Sequence, residues 1–122
     1  MRKSAAEAFG TFALVFAGTG AVVVNDTHGA VTHVGIALTF GLVVLAMIYA
    51  VGDVSGASMN PARSLAPAVV SGRLDHLWIY LTAPVLGAVL AAVVCVVVHG
   101  PRCCFAGGTD GGHDGCKAAN AG

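Results

Sequence analysis

Three apolar runs, each long enough to cross a bilayer, constrain this chain before anything else does. They are Ala5–Val24, Val31–Val51 and Leu77–Val98. At about 1.5 Å of rise per residue, a helix of about 20 residues matches the roughly 30 Å hydrocarbon core. Lipid offers no partners to backbone N–H and C=O groups, and a helix satisfies its own. The runs therefore predict an all-α membrane protein with three transmembrane helices. The first follows Arg2 and Lys3, as a signal peptide's apolar region would. It is longer than such a region and lacks a well-placed small-residue cleavage site, so it reads as a retained span. Of the 122 residues, 57% are hydrophobic and only 10% charged, too little charge to cover a soluble domain this small. The net charge is zero and the six Lys/Arg are scattered, which argues against nucleic-acid binding. The expected partner is the lipid bilayer, and the expected location is the cell membrane, as a multi-pass protein.

Between the first two runs, Asn25–Gly29 reads as a short polar turn, which makes the two spans antiparallel neighbours. Small residues recur every four positions: Ala13, Ala17 and Ala21 on the first span, Ala83, Gly87 and Ala91 on the last. Such spacing lets helices approach closely, so contact is expected there with a partner the sequence does not name.

Gly52–His76 is too polar and broken to span, yet Leu65–Val70 is too apolar for an ordinary loop. Two readings are open on the residues alone. One is an amphipathic loop on the membrane surface. The other is a re-entrant segment over residues 53–72, its irregular backbone buried in protein or lining water. Within it, Asn60-Pro61 reads as a helix start. Asparagine is a preferred N-cap, and proline at the first helical position loses nothing by lacking an N–H. That helix is expected to run to about Val70. If it begins deep in the membrane, its N-terminus places roughly half a positive charge there. Arg63 adds a full charge one turn in, and the Asn60 amide offers donors to water. Together these would repel cations while still receiving water. Arginine inside a span costs about 2.5–3.5 kcal/mol, so it is normally kept for function.

Several segments in order resemble the aquaporin (major intrinsic protein) family. Ala6–Phe12 is similar to the start of the family's first span, and Ala37–Leu42 through Ser55–Ala57 to its second span and the lead into its first pore motif. Ser58–Pro67 with Leu77–Val98 is similar to the second Asn-Pro-Ala loop and the last span. The resemblance implies that Asn60, Pro61 and Ala62 form a pore motif and that Arg63 is the arginine of the selectivity filter. It implies that Phe40 is that filter's aromatic residue on the second span, and that Glu7 braces a re-entrant loop by accepting its backbone N–H groups. The implied fold is three transmembrane helices plus one re-entrant half-helix. The implied function is a channel for passive transport of water or small neutral solutes.

The sequence also departs from the family's pattern. The first Asn-Pro-Ala motif is missing, as are the third, fourth and fifth spans and one half-helix. A deletion between two similar loops would give this sequence, and so would a natural short form. One copy cannot oppose two half-helices, so conduction is expected to need a homo-oligomer or a full-length homologue, with one partner inverted. Arg2, Lys3 and Arg73 against Arg102 and Lys117 give a small bias toward a cytoplasmic N-terminus, which leaves insertion both ways open. The competing reading is a non-conducting remnant or assembly subunit.

The membrane domain is thus expected over residues 1–100, with a Gly- and Cys-rich disordered tail over 101–122. Cys103, Cys104, Cys116, His113, Asp110 and Asp114 lack zinc-site spacing, so no metal or cofactor is expected, although a metal-handling tail is a third reading. Cys95 is expected to pack as a small apolar residue, and His33 and His99 to reach water at span ends. No nucleophile with a base, no paired carboxylates and no phosphate-cradling loop argue for an enzyme.

Overall fold

The computed structural model of the chain describes residues 1–72, 74 and 77–100, with the backbone alone at His99. Arg73, His76 and the expected tail, with its cysteines, His113, Asp110 and Asp114, lie outside the described residues. Among those described, the chain is all-helical: α1 (Arg2–His28), α2 (Thr32–Ser55), α3 (Pro61–Ser71) and α4 (Leu77–His99). Three of them, α1, α2 and α4, are long and apolar enough to cross a membrane. At about 1.5 Å per residue, α1 is about 40 Å long and α3 only about 16 Å, half a bilayer.

The expected polar turn at Asn25–Gly29 is shorter in the structure. Asn25–His28 complete the last turn of α1, and Gly29 closes it in the left-handed conformation at φ 65°. The reason is local. Thr27 returns its hydroxyl to the Val23 carbonyl at 2.9 Å, so its polarity is absorbed by the helix. The Asn25 side chain accepts from the Thr32 N–H at 2.7 Å and ties the end of α1 to the start of α2. The connection left is only Gly29–Val31, and it forces an antiparallel pair. Phe40 lies over Gly18, and Val51 over Gly10, so α2 descends as α1 rises.

Helix α1 is the central element. Among the described helices it packs along both α2 and α4, whereas α3 packs along α4 alone and α2 meets α4 where Tyr80 bonds the Ser55 carbonyl. The small-residue stripe on α4 finds its partner here. Ile79, Ala83, Gly87, Ala91 and Cys95 are all buried, at four-residue spacing. At Gly87 a Cβ would collide with the Ala8 carbonyl oxygen and crowd the Phe12 N–H, so the two backbones meet directly. Ala13, Ala17 and Ala21 are only half-buried. Cys95 is buried and is disulfide-bonded, which its expected role as a small apolar residue did not include.

Backbone contact at Gly87 makes a direct test of this packing. Gly87→Ala should force α1 and α4 apart and cost about 1–3 kcal/mol, the range for overpacked sites. The readout is the denaturation midpoint of the detergent-solubilised protein titrated with a denaturing detergent. Gly41→Ala, where an added Cβ meets nothing, should leave the midpoint in place. Equal midpoints for the two variants would contradict the packing.

Candidate functional site

The segment joining α2 to α3 turns back inside the molecule rather than at its edge. Gly56, Ala57 and Met59 all adopt positive φ, at 86°, 45° and 51°. For a residue with a Cβ this costs about 1–2 kcal/mol. Ala57 and Met59 carry that cost and are both buried. What the conformation achieves is to aim two successive amides at one group. The Ser58 N–H donates to Glu7 Oε1 at 3.0 Å and the Met59 N–H to Oε2 at 2.7 Å. Glu7 is fully buried. Hydrogen bonds to a charged acceptor contribute about 1.5–3 kcal/mol each, enough to offset the strain.

Thr11, one turn beyond Glu7 on the same face of α1, donates its hydroxyl to the Met59 carbonyl at 3.2 Å. Both backbone polar groups of Met59 are thereby satisfied from α1. The Ser55 hydroxyl accepts from the Ala57 N–H at 3.2 Å, and Tyr80 reaches from α4 to the Ser55 carbonyl at 2.9 Å. Sequence reading singled out Glu7 but missed Thr11, Ser55 and Tyr80. For Thr11 a signal existed: a second polar residue four positions after Glu7 on an otherwise apolar helix.

Asn60 caps α3 as its residue type predicts, accepting from the Ala62 N–H at 2.9 Å. Its amide nitrogen has no protein acceptor among the described residues and is exposed with the start of the helix. Pro61 takes the first helical position and Ala62 the next, exposed. Arg63 is also exposed, and it lines a cavity of about 490 Å³ together with Lys3, Ser58, Ser64, Leu77 and Tyr80. That cavity lies at the end of the bundle where α1 and α4 begin and α2 finishes.

Depth along α1 separates the two expected filter residues. The loop tip at Met59 meets Gly10 and Thr11, whereas the Phe40 ring lies over Gly18. At about 1.5 Å per residue these levels differ by about 10–12 Å. Arg63 lies on the opposite side of the tip, at the Lys3 end. Within one copy the structure does not bring Phe40 and Arg63 together.

The Glu7 clamp can be tested through the amides it holds. Glu7→Gln keeps the shape but offers one acceptor and one donor to two N–H groups. Exchange of the Ser58 and Met59 amides, read by hydrogen–deuterium exchange in micelles, should accelerate at least about ten-fold, as loss of a buried charged bond implies. Unchanged exchange would mean that the loop is held by other contacts.

A family model described as Major intrinsic protein matches residues 1–58 and again residues 52–95. Gly52–Ser58, the lead into the loop, is thus read by both matches. Aquaporin NIP1-1 of Zea mays is 46% identical over 105 residues, covering 84% of this chain and 37% of that protein. Aquaporin NIP3-1 of Arabidopsis thaliana is 47% identical over 100 residues, covering 80% and 31%. Aquaporin Z of Brucella melitensis biotype 1 is 43% identical over 124 residues, covering 98% and 51%. The chain spans about a third to a half of the length of these curated relatives. A match over nearly all of residues 1–95, on a frame of three membrane-crossing helices, leaves one assignment: the chain is a multi-pass membrane protein of the major intrinsic protein family.

Proposed function

We propose that this chain supplies one half of an aquaporin-type pathway, passing water or small neutral solutes by passive transport. The observation that carries the reading is the buried clamp on the loop, which holds the start of α3 at the level of Gly10 and Thr11 rather than at the end of α1. There the first turn of α3 offers its positive dipole end and the free Asn60 amide donors to water. Arg63 adds a cationic barrier to other cations, including hydronium. No bond is made or broken in such a role.

One copy does not enclose a passage. Among the described residues it contributes a single half-helix, and α2 packs lengthwise against α1 alone. A second copy inserted upside down, related by an axis in the membrane plane, would bring in a second half-helix from the opposite face of the membrane. It would also bring its Arg63 into the half of the membrane that holds the first copy's Phe40, so that each filter would draw one residue from each copy. A full-length homologue is the other partner that supplies an inverted half. The competing reading is a non-conducting membrane protein, a remnant or an assembly subunit.

Stopped-flow swelling of proteoliposomes separates these readings. Preparations holding both orientations should swell several-fold faster than protein-free liposomes. Asn60→Asp, which replaces the amide donors by an acceptor, should return swelling to background. Arg63→Val should keep water flux and raise proton leak. A strictly single-orientation, monomeric sample should stay at background, and permeability from it would refute the need for an inverted partner. Background swelling in every preparation would leave the non-conducting reading in place.

A further inference from the structure

We infer that the cavity beneath Arg63 is a binding site for a phosphate-type oxyanion. Two cations from distant parts of the sequence, Lys3 on the first turn of α1 and Arg63 on the first turn of α3, line one cavity of about 490 Å³. A space of this size suits a small ligand or a headgroup. Neither cation has a carboxylate partner among the described residues. On α1, Glu7 is engaged by the Ser58 and Met59 amides. Asp53 is exposed on α2 and is not among the lining residues.

Hydroxyl groups complete the polar lining. Ser64 donates to the Ser58 hydroxyl at 2.6 Å, which leaves the Ser58 proton without an acceptor among the described residues and ready to donate. Arginine offers a planar fork suited to two phosphate oxygens, and lysine a point charge for a third. Facing these, Pro67 and Leu77 supply an apolar wall. An amphipathic lining at the end of a bundle suits the boundary where a lipid's phosphate meets its glycerol and acyl chains. Basic cavities between membrane helices hold anionic headgroups in this way. The shared chemistry is the phosphoryl oxyanion, whether on a lipid or free in solution.

The consequence for transport rests on the proposed function. An oxyanion bound there would neutralise Arg63 and stand between bulk water and the Asn60 end of α3. Binding itself does not depend on conduction.

The test uses the full chain in nanodiscs of phosphatidylcholine, with or without a minor fraction of phosphatidylglycerol. Native mass spectrometry counts retained lipid. Fluorescence of Trp78, the chain's one tryptophan and the neighbour of Leu77, follows a titration with inorganic phosphate. Selective retention of phosphatidylglycerol would support the site and assign it to lipid. A saturable phosphate response without lipid selectivity would support it and assign it to a free anion. In either case Lys3→Gln and Arg63→Gln should each weaken binding about five-fold, and together about 25-fold, with helicity unchanged by circular dichroism. Absence of both signals, or equal binding by the double variant, would overturn the proposal. Binding that persists alongside background swelling in every preparation would count against the transport reading alone.

Discussion

A buried carboxylate facing two backbone amides is the interaction on which the rest of this structure depends. Residues 56–60 form neither helix nor strand, with Gly56, Ala57 and Met59 left-handed and Asn60 extended, so their polar groups must be satisfied from elsewhere. In hydrocarbon each unpaired group would cost several kcal/mol. Glu7 takes the Ser58 and Met59 N–H groups, and Thr11 supplies a donor to the Met59 carbonyl. Helix α1 thus acts as a template for the loop as well as a span. The exchange is mutual: the same two amides make it possible to bury Glu7 among apolar helices.

From that clamp the rest of the topology follows. With its tip held at the level of Gly10 and Thr11, the chain has about 16 Å of helix in α3 with which to return. It comes back to the end it left, and α4 therefore starts beside the end of α2, where Tyr80 bonds the Ser55 carbonyl. Helix α4 then runs parallel to α1, and Gly87 lets their backbones touch. The same route fixes the charge distribution. Arg63 is carried toward Lys3, so the two cations share one end of the unit, while Phe40 lies higher along α1, over Gly18.

Much of this was legible in the sequence because membrane spans are set by length and apolarity alone. The three long helices, the Asn60 cap and the Pro61 start all follow from local chemistry. The end of α1 was harder to read: Asn25, Asp26 and Thr27 are turn formers, and only Thr27's bond back to Val23 shows how the helix absorbs them. The depth of the loop was not decidable from residues 52–76, because a surface loop and a re-entrant one share a composition. It was decided by partners some fifty positions away, Glu7 and Thr11, which no local pattern connects to Met59. The separation of Phe40 from Arg63 was equally hidden. It depends on the direction in which α3 leaves the tip, a property of the whole chain path.

Where α3 begins relative to the lipid decides whether the loop is re-entrant. With α1 centred in a hydrocarbon core of about 30 Å, the loop tip lies about 8 Å inside its boundary. A nitroxide attached at Ala62→Cys, with its depth read by power saturation against oxygen and a water-soluble nickel complex, measures this directly. A second label at Ser71→Cys marks the other end of α3. The account predicts that the Ala62 label lies deeper than the Ser71 label by most of the helix length. Equal depths at headgroup level would place α3 flat on the surface and contradict it.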